Sequence, residues 1–293
     1  MKAADVAARL GSARQEGSQW RCFCPLHGGR SLLLRDGRDG RLLVSCMGGC
    51  DSIDVFRELN RLQLTDFNEC DRHDRRGFDR ETADEKNREL AVKIWQAATP
   101  AERALPIAQY LWSRGISLRP PSTLRWSASC WHPDTRRTGI KYGAMIGRVD
   151  NVDGEIIGIH RTYLSPDGSG KVPGIQDKAF LGPIKGGAVR LGAIEPERAL
   201  IVGEGLETVL SLMQLRRLPG WSALSAPGLR ALVLPQSVRR VLVAVDHDRG
   251  GAGEAAARDA AARWISEGRE VRLAIPARRG DDWNDVLRGR ANG

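Results

Sequence analysis

Four side chains near the N-terminus have the types and spacing of a metal site. Cys24, His27, Cys46 and Cys50 read C-x2-H, eighteen intervening residues, then C-x3-C. Thiolates with one imidazole suit a tetrahedral zinc ion, which would stabilise a segment too small to fold on its apolar residues alone. Cys22 is a spare thiol that could replace Cys24, although the Cys-Pro-x-His order favours Cys24. A second group is built of hard oxygen donors. Glu204 follows the apolar run ALIVG, Asp246 and Asp248 follow RRVLVAV, and Asp281, Asp282 and Asp285 lie in GDDWNDVL. Carboxylates brought this close raise one another's pKa unless a cation neutralises them, and oxygen ligands select Mg2+ or Mn2+. The competing role for these acids, Asp281 and Asp282 above all, is helix capping or interaction with a helix dipole.

The elements that must position these groups follow from periodicity. SLLLR and RLLVS, separated by DGRDG, predict a β-hairpin between the two ligand pairs. DSIDVFRELN predicts a helix packing on that hairpin through Ile53, Phe56 and Leu59. Residues 66–89 are almost all polar or charged and read as a linker or a solvated helix. Helical spacing resumes in ELAVKIWQAA and in IAQYLWSRG, which ends at Gly115. The runs KYGAMIGRVDN, DGEIIGIHRTYLS and DGSGKV then predict strands separated by Asp-Gly turns. Beyond residue 196 apolar strands alternate with helices, which implies a small parallel α/β sheet. In such a sheet ligands bind at the carboxyl ends of the strands, where Glu204, Asp246 and Asp248 would converge.

The chain has 293 residues and a formal net charge of +9, which favours a polyanionic partner. Only seven of its 45 basic residues are lysines, so a base-composition bias toward arginine weakens that inference. Six cysteines, no run of about 20 apolar residues and no signal-peptide segment predict a cytoplasmic protein without membrane insertion. Arg21, Arg30, Arg35, Arg38 and Arg41 surround the cysteine-rich hairpin, with Trp20 and Phe23 among them. That mixture suits single-stranded nucleic acid as well as it suits a solvated hairpin face with the aromatics in its core.

GEGLETVLS, VAVDHDRGGAGEAA and GDDWNDVL together resemble a Toprim domain, and CPLH…CMGGCD resembles the zinc-binding module of bacterial-type primases. YLWSRGI and GRVDNVDGEIIGIHRTYL…GSGK are similar to the N-terminal half of the primase RNA-polymerase core, in its phage and mobile-element branch. The resemblance implies a zinc module over 1–62, a charged linker over 63–88, part of the polymerase core over 89–195 and a Toprim domain over 196–293. The fold class is then α/β, with a zinc ribbon, a mixed α+β core and a parallel α/β domain. Glu204, Asp246 and Asp248 become metal-site acids, with Asp285 a fourth. Arg161 and Lys171, with Lys178 and Lys185 on the same segment, become a basic wall for nucleotide or nucleic acid. Where replicative primases have an acid four residues past the glutamate this chain has Thr208, and Glu207 comes one residue earlier.

The implied activity is DNA-dependent primer synthesis from nucleoside triphosphates on single-stranded DNA, with structural Zn2+ and catalytic Mg2+ or Mn2+. Any replicative helicase would be a separate partner, because no helicase motif lies in the chain. The rival readings are a Toprim-type nuclease and a non-catalytic adaptor that binds single-stranded DNA.

Overall fold

The computed structural model describes residues 2–11, 13–36, 42–65, 73–133, 139–247 and 251–291, with side chains left aside at 73–82 and 290–291. It divides into two units, Met1–Asp79 and Arg80–Gly293.

In the first unit, α1 (Ala3–Leu10) precedes β1 (Arg14–Glu16), β2 (Gln19–Cys22), β3 (Leu32–Asp36), β4 (Leu42–Cys46) and α2 (Ser52–Arg61). The strands form an antiparallel sheet in chain order. The predicted hairpin is β3–β4, with Leu32 opposite Cys46 and Asp36 opposite Leu42, while its turn lies outside the described residues. Asp51 caps α2 by accepting a hydrogen bond from the Ile53 amide at 2.8 Å. Val55, Phe56 and Leu59 are the buried residues of α2, and Ile53 is half-buried. Ala3, Val6 and Ala7, at helical spacing on α1, complete the core with Leu32, Leu34 and Leu59. Trp20 packs against that core, whereas Phe23 is 37% exposed beneath the Arg30 guanidinium.

The charged stretch enters α3 (His73–Ala97), whose end contributes Ala91 and Trp95 to the core of the second unit. There β5 (Thr99–Pro100), α4 (Leu105–Ser113), β6 (Leu124–Trp131), β7 (Lys141–Asp150), β8 (Ile156–Tyr163), β9 (Lys178–Leu181) and β10 (Ala188–Arg190) come first. They are followed by β11 (Leu200–Gly203), α5 (Leu206–Arg216), β12 (Gly220–Ser222), α6 (Ala226–Ala231) and β13 (Arg240–Ala244). The chain ends with α7 (Ala252–Ser266), β14 (Glu270–Ala274) and α8 (Trp283–Ala291).

β14, β13, β11 and β12 are parallel neighbours, in the order expected of an α/β unit. β10 runs antiparallel to both β12 and β7, which joins this sheet to the antiparallel strands β5–β9. One face carries a core containing Ile107, Tyr110, Met145, Ile201, Val209 and Leu287, from α4, α5, α8 and the strands beneath them. The other face packs Val202, Trp221 and Val243 against Leu229 of α6 and Ala256, Ala260 and Trp264 of α7. The predicted strand at DGSGKV is instead a turn, in which the Asp167 carboxylate accepts from the Ser169 amide and Gly168 takes φ +67°. Among the described residues no helix is long and apolar enough to cross a membrane.

Candidate metal centres and a buried charge cluster

The loop after β2 and the loop after β4 bring Cys24, His27, Cys46 and Cys50 together, with all ligand atoms within 4.8 Å of one another. Cys24 Sγ lies 3.9 Å from Cys50 Sγ, and His27 Nε2 lies 3.2 Å from Cys46 Sγ. A tetrahedral site with metal–sulfur bonds of about 2.3 Å has sulfur–sulfur edges of about 3.8 Å, so three thiolates and an imidazole fit a zinc-sized ion here. Hydrogen bonds from Cys24 and Cys50 push the Cys46 thiol far below its ordinary range, while hydrogen bonds with Cys24 and Cys46 push Cys50 up. Hydrogen bonds to Cys24 and Cys46 raise His27 to about 10. Three crowded thiols cannot all ionise on their own, and a divalent cation is what would let them. Cys22 stands apart. Its thiol is buried, donates to the Leu32 carbonyl at 3.8 Å, and is pushed up to about 11 by burial.

Two glycines make room for the imidazole. A Cβ at Gly48 would sit 2.7 Å from His27 Nε2, and one at Gly29 would sit 2.7 Å from His27 Cε1. Ser31 Oγ completes the surroundings, 2.9 Å from His27 Nε2 and 3.3 Å from Cys46 Sγ.

In the second unit Gly203 and Ala244 are register partners on β11 and β13, so Glu204 and Asp246 leave adjacent parallel strands at their carboxyl ends. Both residues are half-buried. Ser222 Oγ and the Leu224 amide donate to the Glu204 carbonyl at 2.7 and 2.8 Å, fixing the backbone at this edge. Thr208, in the first turn of α5, donates its hydroxyl to Asp246 Oδ1 at 2.9 Å. Thr208 therefore faces the acid edge from the position four residues past Glu204. Asp248 lies outside the described residues. The His247 amide donates to the Asp281 carbonyl at 3.1 Å, which ties the start of α8 to the same edge. Asp282 and Asp285 cap α8 reciprocally. Asp282 Oδ1 accepts from the Asp285 amide at 2.8 Å, and Asp285 Oδ2 accepts from the Asp282 amide at 3.1 Å.

Glu207 makes its contacts with a different set of partners. It is 6% exposed, and Tyr110 donates its hydroxyl to Oε1 at 2.5 Å. Lys171 Nζ lies 3.7 Å from Oε1 and Lys178 Nζ 4.0 Å from Oε2, while Lys171 also pairs with Asp177 at 2.7 Å. Burial raises the carboxyl, but Lys178, Lys171 and the Tyr110 hydroxyl outweigh it and hold Glu207 at about 2. Arg161 is 7% exposed and donates to the Trp131 carbonyl at 3.0 Å and the Phe180 carbonyl at 2.9 Å. Lys185 is exposed between β9 and β10.

Tyr110 and Ser31 were not legible as site residues from their spacing, and Glu207 and Thr208 were legible only as the residues near the position where the resemblance implies an acid, not by the contacts they make. The available signal was Glu207 itself, a lone acid in the run LETVLSLM, whose residues Leu206 to Leu212 are all buried in α5.

A family model described as a Toprim domain matches residues 199–293, and one described as a domain of unknown function (DUF7146) matches residues 85–191. No curated protein matches the chain. Among solved structures, the chain is similar to the zinc-binding and RNA polymerase domains of the Aquifex aeolicus primase, at 16% identity and a TM-score of 0.48, covering 99% of this chain and 80% of that one. A DNA primase domain from Pseudomonas aeruginosa matches at 18% identity and a TM-score of 0.45, covering 69% and 74% of the two chains. The primase fragment of the bacteriophage T7 primase-helicase protein matches at 14% identity and a TM-score of 0.36, covering 63% and 66%.

Proposed function

With residues 199–293 forming a Toprim domain, we propose that this chain is a DNA-dependent primase that joins nucleoside triphosphates into short primers on single-stranded DNA, in the replication of a phage or mobile element. The observation that carries this reading is the first turn of α5. Thr208 faces the acid edge, where Glu204 and Asp246 leave adjacent strands, and Glu207 gathers Lys171 and Lys178 from the antiparallel portion. A hydrolase needs the acids; a basic wall for a triphosphate is an added requirement of synthesis.

Glu204, Asp246 and Asp248 would hold Mg2+ or Mn2+ through carboxylate oxygens. When bound, such ions lower the charge of the triphosphate, help activate the 3′-hydroxyl and stabilise the departing pyrophosphate. The chain itself contributes placement. The strand ends fix the acids, the Thr208 hydroxyl orients Asp246, and the α8 cap of Asp282 and Asp285 supports the neighbouring backbone. Lys171, Lys178 and Lys185 present ammonium groups toward phosphate, while Arg161 braces β6 against β9 through its two carbonyl contacts.

Cys24, His27, Cys46 and Cys50 would hold zinc with all four positions filled by protein, which leaves the ion a structural role. Exposed Phe23 under Arg30 gives that unit an aromatic and cationic surface suited to an unstacked base.

The test is incubation of the protein with single-stranded DNA, labelled nucleotides and Mg2+ or Mn2+. Ladders of short primers support synthesis. Shortened template would establish a Toprim-type nuclease, and bound but unaltered DNA an adaptor.

A further inference from the structure

Burying a carboxylate is costly unless cations and donors compensate it, and Glu207 obtains that compensation in an unusual way. Its two lysines are not buried with it. The side chains of Lys171 and Lys178 remain 30% and 33% exposed, against 8% for Glu207. Each ammonium carries three donors; Lys171 directs one to Asp177 at 2.7 Å and turns another side to Glu207, and Lys178 turns one side to Glu207, so each keeps a donor for a further partner.

The strand register adds an independent observation. On β8, Ile159 and Tyr163 pack into the core beneath α3, so the alternating residues His160 and Thr162 belong to the opposite face. Thr162 is opposite Lys178 and His160 is opposite Phe180 on β9, whose ring lies 5.3 Å from the imidazole. Thr162 is also opposite Met145, which shares a core with Tyr110. His160 Nδ1 and Thr162 Oγ1 are buried without a hydrogen-bond partner, at 2% and 0% residue exposure. Unmade hydrogen bonds of this kind are costly, and they stand on the strand face that carries Lys178.

We propose that Glu207 is a positioning residue whose carboxylate fixes the ammonium groups of Lys171 and Lys178, beside His160 and Thr162, for the triphosphate of an incoming nucleotide. This assignment rests on the reading of the chain as a nucleotidyl-transferring enzyme. It gives the first turn of α5 two tasks, since Thr208 addresses the acid edge and Glu207 addresses the phosphates through the lysines.

The experiment is calorimetric titration of the full chain with ATP and Mg2+, alongside primer synthesis. Glu207→Gln is expected to weaken ATP binding and raise the nucleotide KM about tenfold, with kcat changed less than about threefold. In a Lys171→Met/Lys178→Met background the same substitution is expected to add nothing, because Glu207 acts through those side chains. Unchanged ATP binding in Glu207→Gln, or a further additive loss in the lysine-free background, overturns the assignment. If Glu207→Gln does not fold, Glu207→Asp carries the same comparison, because it keeps the charge but withdraws it by one methylene. Failure of both to fold makes Glu207 a core residue and also overturns it. A wild-type chain that binds ATP yet makes no primers defeats the primase reading alone, and the titration still decides the role of Glu207. A wild-type chain that does not bind ATP defeats both.

Discussion

His27 shows how much of a metal site resides in residues that donate nothing to the metal. Its ring lies between Gly29 and Gly48, where an added Cβ would come within 2.7 Å of imidazole atoms in either case. Gly48→Ala must therefore displace the ring from Cys46, and it is expected to lower metal affinity about 10–100-fold, measured by competition with a chromophoric chelator. Unchanged affinity would mean that the loop, not the ring, yields. Glu207 permits a second test at this scale, through pH. Its folded pKa of about 2 lies below the ordinary carboxylate value, so its ionisation contributes stability that is present above about pH 4 and lost as pH falls toward 2. Denaturation of wild type against Glu207→Gln should show a wild-type advantage of about 1–3 kcal/mol at pH 7, shrinking as pH approaches 2. An advantage independent of pH would show that packing, not charge, is what the glutamine disturbs. The four Cys and His ligands were legible because ligand chemistry fixes their types and a hairpin fixes their spacing. The contacts of Glu207 were not, because its partners come from α4, β9 and the loop before β9, and no local pattern records that meeting.

Elements divide the acidic residues into two kinds. Glu204 and Asp246 leave the ends of parallel strands, whereas Asp282 and Asp285 exchange hydrogen bonds with each other's backbone amides at the start of α8. The strand-end acid should therefore fail chemically and the cap should fail structurally. Asp246→Asn is expected to abolish primer synthesis with an unchanged circular dichroism spectrum. Asp282→Ala should cost about 1 kcal/mol of stability, seen as a lowered melting temperature, and leave synthesis largely intact. Loss of synthesis in Asp285→Asn with no change in melting temperature would move that residue from the cap to the chemistry. The alternation of strand and helix beyond residue 196 was readable because parallel strands covered on both faces appear as unbroken apolar runs. β1 and β10 were not, since Arg14–Glu16 and Ala188–Arg190 are each three residues long, too short for a period to register. β10 matters most among these, because it joins the parallel and antiparallel strands and so allows α5 to serve both.

At the scale of the molecule, Met1–Asp79 and Arg80–Gly293 draw their stability from different sources. The second unit rests on three apolar clusters against a sheet continuous from β14 to β5. The first has one small cluster, and among the residues packed within or against it are Cys24, Cys46 and Cys50. A domain this small buries too little surface to compensate its chain entropy comfortably, so ligand binding by the cysteines and His27 is also folding free energy. Removal of metal from the full chain with a strong chelator should then abolish or lower one calorimetric transition and leave the other in place. Cys46→Ser should reproduce the chelated trace without chelator, and adding Zn2+ back should restore the transition in wild type but not in the variant. A single transition that shifts as a whole would instead mean that the metal site stabilises the Arg80–Gly293 unit as well, and that the two units unfold as one.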